Sequence, residues 1–477
     1  MGQRVNHLLT RRQATWVLAL LLPIIIGLLP ATAFPFTLTQ IEQRVIAIFV
    51  FAALFWILEP IPIYATSMLI VILELVFISD SNLLLLRSAA PDYGTPLSYK
   101  EIMGSLASPI IMLFLGGFFL AVAATKYRLD QNVAGLLLPR FGTQPRWVLL
   151  GMMCIAGFFS MFMSNTATTA MMLAILLPVV EAFPPGDRSR TAFVIGIPVA
   201  ANLGGIGTPI GTPANAIALK FLGESALSFS KWMLFGVPFV IVLILLAWVL
   251  ITQLWPSSGN DVKVALGGKF LRTPKALVVY ATFLVTIAMW ILDFVHGMNA
   301  YVVGLIPVGV FLLTGVINKE DLKLISWDVL WLVGGGIALG LAIDHSGLAH
   351  TIIAHIPFAG FAPWAVIAGA GGIGLLLANF MSHTATANLL LPLLVAVGAV
   401  VPGLTDIGGT NLMILATTLA ISLAMSLPIS TPPNALAHAT GMITTKDLMK
   451  VGILMGVVGF VLLMGLIFML GQTRFIG

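Results

Sequence analysis

Two pairs of short polar stretches hold most of the chain's capacity for chemistry. One pair is Ser164-Asn165-Thr166 and Ser382-His383-Thr384. The other is Gly211-Thr212-Pro213-Ala214-Asn215, preceded by Gly207-Thr208-Pro209, and Ser430-Thr431-Pro432-Pro433-Asn434. All lie inside apolar segments. A Thr-Pro step interrupts a helix, because proline lacks an amide proton and restricts its predecessor. The half-helix that begins there presents free backbone N–H groups and a positive dipole end. With nearby hydroxyls and carboxamides, such ends can hold carboxylates without a fixed cation. Helix ends pointing C-terminally into the same gap, with Ser and Asn oxygens, can coordinate a small cation such as sodium. The cation offsets the anion's charge, so each ion makes burial of the other less costly. The competing reading is that Ser and Thr in spans bond back to their own helix, or pack where helices touch. For an isolated Ser or Thr that reading prevails; for motifs paired at one spacing it does not.

The spacing is regular. "SPIIMLFLGGFFLAVAATK" from Ser108 resembles "SWDVLWLVGGGIALGLAID" from Ser326, at an offset of 218 residues, and "SNTATTA" from Ser164 resembles "SHTATAN" from Ser382 at the same offset. "GTPAN" from Gly211 and "STPPN" from Ser430 are 219 apart. Gly116, Gly117, Gly334, Gly335 and Gly336 read as close-packing residues. The second copy departs from the first at His383, which replaces the asparagine at 165. An imidazole titrates near ~6.5 and can carry a proton. His383 can contact a carboxylate, stand where a second cation would bind, or act as a neutral donor in the asparagine's role. His438, one turn beyond Asn434, reads as structural. His345, His350 and His355 lie near a membrane surface and take no role, and Asp293 and Asp344 read as solvated span ends.

The elements that position these motifs must sit in lipid. Of 477 residues, 59% are hydrophobic and 9% charged, whereas soluble domains carry roughly 25% charged residues. Mean hydropathy is +1.07. Apolar runs of spanning length fall at 14–33, 43–60, 62–79, 108–125, 191–222, 232–254, 276–293, 298–317, 328–346, 410–440 and 450–471. Blocks 146–183 and 362–402 are apolar but broken in the middle, which reads as re-entrant hairpins. Such broken backbone is tolerated only where protein or a water cavity covers it. Arg4, Arg11 and Arg12 precede the run Ala14–Leu29, and Ala31-Thr32-Ala33 follows. This reads as an uncleaved first span in preference to a secretory signal. With the N-terminus cytoplasmic, Lys126, Arg128, Arg140, Arg146, Arg188, Arg190, Lys263, Lys269, Arg272, Lys275, Lys319, Lys323, Lys446 and Lys450 fall inside, and Arg87 and Lys100 are exceptions. The count gives the two copies opposite orientations. Inverted repeats with paired broken helices mark the midplane site of a secondary transporter. The net charge of +5 is a topology signal, not a nucleic-acid footprint. Cys154 is the single cysteine, so no internal disulfide or thiolate cluster forms.

At these motifs the chain resembles the divalent anion:sodium symporter family of di- and tricarboxylate carriers, over residues 40–475 and including both hairpins. The resemblance implies a homodimer built on a scaffold domain, with a transport domain that carries the hairpins in an elevator motion. It implies a sodium site of Ser160, Ser164, Asn165 and Gly211. The implied carboxylate set is Asn165, Thr166, Ser382, Thr384, Thr431 and Pro432, with His383 beside it. The family's second sodium site uses an asparagine at position 383 and a hydroxyl at 378, where this chain has His383 and Ala378. That departure brings proton coupling or anion exchange into consideration.

The expected fold is therefore an all-α polytopic membrane protein of about 11 transmembrane helices plus two re-entrant hairpins. Residues 1–107 form N-terminal scaffold spans. Residues 108–255 form the first inverted repeat with hairpin 146–183. Residues 256–325 are linker and scaffold spans, and 326–477 the second repeat with hairpin 362–402. The expected function is secondary transport of succinate, malate, oxoglutarate or citrate across a bacterial-type inner membrane. Symport and exchange both stay open, and no cofactor is needed beyond sodium. A carrier of another oxyanion such as sulfate is the alternative. An intramembrane hydrolase using Ser382 or Ser164 with a histidine is remote, because adjacent Ser382 and His383 are poorly placed for a nucleophile–base bond and no HExxH motif occurs.

Overall fold

The structure, a computed structural model, describes residues 16–476 apart from 18, 31–32, 36, 89, 182, 185, 223–226, 258–269, 349–350 and 352–359. Arg4, Arg11, Arg12, Ala31, Thr32, Lys263, Lys269, His350 and His355 lie outside the described residues. Eighteen α-helices of eight residues or more order the described residues, besides short ones at Tyr99–Gly104 and Asp293–His296. They are α1 (Ala19–Leu28), α2 (Gln40–Leu58), α3 (Ile63–Phe77), α4 (Pro109–Lys126), α5 (Leu129–Leu137), α6 (Pro145–Ser160), α7 (Asn165–Glu181), α8 (Arg188–Gly204) and α9 (Pro213–Leu222). They continue with α10 (Phe229–Leu254), α11 (Pro274–Ile291), α12 (Ala300–Leu313), α13 (Trp327–His345), α14 (Pro363–Ala378), α15 (His383–Val400), α16 (Gly409–Ser422), α17 (Pro432–Ala439) and α18 (Thr445–Gln472). Among the described residues the only β pairing is an isolated bridge between Ser79 and Leu97. The chain is an all-α polytopic membrane protein, with 8 described helices long and apolar enough to cross a bilayer.

Each expected apolar run carries a helix, and both broken blocks fold as two helices around a short turn: α6 and α7 around 161–164, α14 and α15 around 379–382. The Thr-Pro runs are interrupted as their prolines require. Residues 205–212 separate α8 from α9, and 423–431 separate α16 from α17. Helix starts are capped by side chains. Thr39 with Glu42 and Thr444 with Asp447 make reciprocal boxes, and Ser108 caps α4. Asp293 accepts from the amide and hydroxyl of Ser230, so it anchors the start of α10 and is not merely a solvated end.

Packing repeats pairwise. Helix α4 lies on α12, and its copy α13 lies on α3; α6 lies on α8, and α14 on α16. Small residues permit the closest approaches. A Cβ at Gly116 would fall 1.8 Å from the Gly304 carbonyl oxygen, and one at Gly335 would fall 2.5 Å from Ser67 Cβ. The short half-helices cross over: α9 packs on α15, and α17 on α7. Each repeat thus rests its broken helix on the other's hairpin. The span containing α8 is 89% buried and α11 only 28%, so the broken helices form the molecular centre and α11 faces lipid. At one membrane edge the Lys126 ammonium meets Asp321 at 2.5 Å and also donates to the Val316 carbonyl. Burial works against the Asp321 carboxylate. The Lys126 hydrogen bond, the Asn318 amide and the Lys126 charge outweigh it and hold Asp321 below the usual carboxylate range.

The packing account makes a stability prediction. Gly116→Val should lower the melting temperature of the purified protein, as overpacking costs about 1–3 kcal/mol. Gly309→Ala, in α12 with nothing within 4 Å of the added Cβ, should leave it unchanged or slightly higher. Equal melting temperatures for the two variants would contradict the contact.

Candidate functional site

Both interruptions and both hairpin turns converge on one cavity of ≈ 400 Å³. Its wall contains Ser164, Asn165 and Thr166 from the first tip and Ser382, His383 and Thr384 from the second. Gly211, Thr212 and Pro213 come from one broken helix, and Ser430, Thr431, Pro432 and Pro433 from the other. All seven residues expected to touch the anion therefore share one space. The opposite wall comes from α3, α4 and the start of α13, through Ile63, Tyr64, Phe114, Gly117, Phe118, Ser326, Asp328, Val329 and Leu332. No lysine or arginine is among the described lining residues.

Unwound backbone at this depth has no water to satisfy it, so side chains must. Two asparagines do so in parallel. Asn215 donates its amide to the carbonyls of Gly205 and Thr208, at 3.0 and 2.8 Å. Asn434 donates to Met425 and Leu427, at 2.8 and 3.1 Å. The final residue of each "TPxN" stretch is thus a staple across its own gap. Thr208 adds a bond to the Met161 carbonyl, and Thr431 caps α17 by accepting from the Asn434 amide. In the second hairpin Asn379 accepts from the Ser426 amide, and its carbonyl takes the Ser430 hydroxyl.

The residues expected at a sodium site also gather. Ser160 does not reach the cavity surface; it is fully buried behind the tip, its hydroxyl 2.5 Å from Asn165 Oδ1 and 2.7 Å from the Ala201 carbonyl oxygen, with one proton to share between them. A Cβ at Gly205 would lie 2.9 Å from both terminal atoms of Asn165 and 3.1 Å from the Gly211 carbonyl oxygen. A Cβ at Gly211 would lie 2.4 Å from the Gly205 carbonyl oxygen. The two glycines therefore leave a cradle rimmed by neutral oxygens, which suits a hard monovalent cation.

The corresponding place in the second copy is built differently. The His383 ring donates from Nε2 to the Ala424 carbonyl at 2.5 Å, and Ala424 is the repeat counterpart of Gly205. A ring N–H thus points at the carbonyl that would serve as a ligand in the first copy. Ala378, fully buried at the end of α14, supplies no hydroxyl there. His438 faces Thr445 at 3.3 Å, away from the cavity.

Asn202 went unmarked in the motifs. It lies in α8, is 3% exposed, lines the cavity, and donates at 3.1 Å to both Thr431 Oγ1 and Asn434 Oδ1 of the other repeat. Its counterpart in the second copy is Ile421, so internal comparison passes over it. The available signal was an amide inside an apolar run.

Crossed broken helices and paired hairpins around one central cavity define a secondary transporter with internal repeats. The chain belongs to the citrate transporter family, whose profile matches residues 53–421, and it is a transporter, not an enzyme. The sodium-dependent dicarboxylate transporter SdcS of Staphylococcus saprophyticus is 32% identical over 468 residues, covering 89% of this chain and 85% of that protein. SdcS of Staphylococcus aureus is 30% identical over 452 residues, covering 86% and 82%. The inorganic phosphate transporter PHO87 of Saccharomyces cerevisiae is 28% identical over 75% of this chain and 39% of that protein. Among solved structures, the YdaH transporter of Alcanivorax borkumensis shares the fold with a TM-score of 0.55 at 12% identity, over 89% of this chain and 98% of that one.

Asn202→Ala should lower the melting temperature, because it strips Asn434 Oδ1 of a buried donor at a cost of about 1–3 kcal/mol. Combined with Thr431→Ala the loss should be less than additive by at least ~0.5 kcal/mol. Strict additivity would contradict the bond between repeats.

Proposed function

We propose that this chain carries di- or tricarboxylate anions of the succinate, malate, oxoglutarate or citrate class, coupled to a cation. The observation that carries the reading is the convergence of two hairpin tips and two Thr-Pro turns on one cavity of ≈ 400 Å³, within the roughly 300–1,000 Å³ of small-ligand sites. Hydroxyls of Thr166, Ser382, Thr384 and Thr431, the Asn165 amide and the backbone amides starting α7 and α15 would receive the carboxylates. Pro432 and Pro433 carry no N–H and the Asn434 amide is taken by Thr431 Oγ1, so the Thr431 hydroxyl is the donor that the start of α17 would offer the anion. Relatives named as sodium-dependent dicarboxylate transporters support the same class.

Sodium, as a co-transported ion, would sit in the cradle of Asn165, Gly205 and Gly211, with Ser164 at its rim and Ser160 orienting the Asn165 carbonyl. Its charge would offset one carboxylate, replacing the lysine or arginine that the wall lacks. At the second copy the His383 N–H takes the cation's place against Ala424, so one sodium site fewer is expected and a bound proton can substitute. Helices α6–α10 and α14–α18 pack chiefly on one another, as do α2–α4 and α11–α13, and the cavity lies between the sets. An elevator movement of the first set past the second, within a homodimer in a bacterial inner membrane with the N-terminus cytoplasmic, accords with this division and with the distribution of lysine and arginine. The domain reading of 1–107, 108–255, 256–325 and 326–477 follows the same repeat logic.

A second reading, transport of a tetrahedral oxyanion, draws on the phosphate transporter among the relatives. Sulfate or phosphate displacing labelled ligand where succinate and citrate fail would favour it.

Uptake into proteoliposomes tests the main reading. A labelled carboxylate from this class should accumulate under a cation gradient or exchange against internal carboxylate. Vesicles that hold folded protein yet show neither would reject the proposal. Asn165→Ala should weaken carboxylate binding at least ~10-fold, the loss of one charge-assisted hydrogen bond or more; unaltered affinity would remove Asn165 from the site. Gly211→Ala should abolish sodium stimulation, and His383→Asn should shift the pH profile or raise the sodium dependence. If His383→Asn keeps both wild-type profiles, the imidazole is not part of the coupling.

A further inference from the structure

A charged group lies deep in the protein and outside the cavity just described. Glu74 on α3 is 0% exposed, and neither carboxylate oxygen has a hydrogen-bond partner among the described residues. An isolated buried carboxylate is costly unless it is paired or protonated. The charge that acts on it is the Lys220 ammonium, which reaches in from α9. Lys220 is not bonded to it. Its Nζ donates to the Ile337 carbonyl of α13, and at Gly340 a Cβ would fall 3.0 Å from that nitrogen. The glycine thus leaves a groove in which the ammonium lies across α13. Helix α13 also packs on α3, with Gly335 against Ser67, so the helices that carry acid and base both rest on one small-residue helix.

Other charged groups around α3 are occupied elsewhere. Glu42 on α2 accepts from Thr39 and Thr351. Arg44 donates to the Phe77 and Leu86 carbonyls. Lys100 and Glu101 on the short helix Tyr99–Gly104, and Asp344 and His345 at the end of α13, are exposed. A second cavity of ≈ 270 Å³ lies along Lys220, bounded by Gly340, Asp344 and Pro392. Its lining is otherwise apolar, and it leaves space between the ammonium and the exposed Asp344.

The position of Lys220 links this pair to the anion site. Helix α9 begins at Pro213 on the cavity wall, and Lys220 follows two turns later, about 10 Å along the axis. Any shift of α9 that accompanies filling of the site moves the ammonium relative to Glu74. We propose that Glu74 is a proton-binding site of the transport cycle, with the charge on Lys220 as the movable counter-ion that decides whether the proton is held. When α9 brings the ammonium toward α3, its positive charge favours the carboxylate and the carboxyl releases its proton to water. When α9 withdraws, the carboxylate takes a proton from water and stays neutral among apolar neighbours. The proton is thus bound or released in step with the anion, independently of the sodium cradle. This inference rests on the transport reading for its timing, though not for the existence of the site.

The test uses the full-length protein in liposomes loaded with a pH-sensitive dye, with labelled succinate or citrate as probe. Wild type should move protons with the anion. Glu74→Gln should still exchange the anion while its proton signal falls at least fivefold, and the pH profile of uptake should flatten. Lys220→Met should move that profile to higher pH, because a carboxylate without its counter-charge holds a proton more firmly. Anion transport by Glu74→Gln with an undiminished proton signal overturns the inference and leaves the proposed function intact. No anion transport by wild type sinks the proposed function instead. In that event the melting temperature of the detergent-solubilised protein between about pH 5 and pH 9 decides the site alone: Glu74→Gln should alter its pH dependence, and an identical curve is contrary. If Glu74→Gln does not fold, Glu74→Asp decides, where a displaced pH profile is expected and an unchanged one is contrary.

Discussion

The controlling constraint is that backbone unwound at membrane depth must find its hydrogen bonds inside the protein. This chain interrupts its helices at four central places, and each interruption exposes carbonyls and amides where no lipid could satisfy them. Asn215 and Asn434 answer for the two broken helices by bridging pairs of carbonyls across the gaps. The first residues of α7 and α15, whose amides stand outside the intrahelical ladder, line the shared cavity, whereas α17 begins with two prolines and has its Asn434 amide capped by Thr431. Site and staple are thus two results of one arrangement: the polar backbone that is not tied down internally is what remains for a ligand.

That arrangement explains why the half-helices cross between repeats. A short helix has too little surface to bury itself, and α9 and α17 each rest on the opposite hairpin. Asn202 adds a direct bond from one repeat to the other's staple and cap. The two copies are therefore not independent binding elements. These contacts tie each hairpin to the other repeat's broken helix. The copies are also not equivalent. The first leaves an oxygen-rimmed cradle held open by Gly205 and Gly211, and the second fills the matching place with the His383 ring. An approximate two-fold fold thus offers two chemically distinct places to put positive charge.

Much of this was legible before any coordinates. A constant offset of 218 or 219 residues paired the tips and the Thr-Pro turns, and pairing picked them out from the many other hydroxyls in the spans. Proline chemistry located the breaks in the helices. The staple role of Asn215 and Asn434 was not legible, since it depends on carbonyls seven to ten residues away that become neighbours only once the chain unwinds. Asn202 escaped because its counterpart is apolar. Tyr64 closes the far wall from outside every repeated stretch, and Phe114 and Asp328 lie inside the first repeated pair without any sign there of a place at the cavity, because tertiary packing alone brings α3, α4 and α13 there. Glu74 and Lys220 sit in or at the end of apolar runs, and only the packing of both α3 and α9 on α13 brings them into one neighbourhood.

The central claim is that both repeats grip one anion together. A cryo-electron microscopy structure with bound succinate or citrate and sodium tests it most directly. The account predicts anion density touching both Ser164–Thr166 and Ser382–Thr384, with a cation peak between Asn165 and the Gly205 and Gly211 carbonyls. Anion density confined to one repeat, or lodged away from both tips, would contradict it.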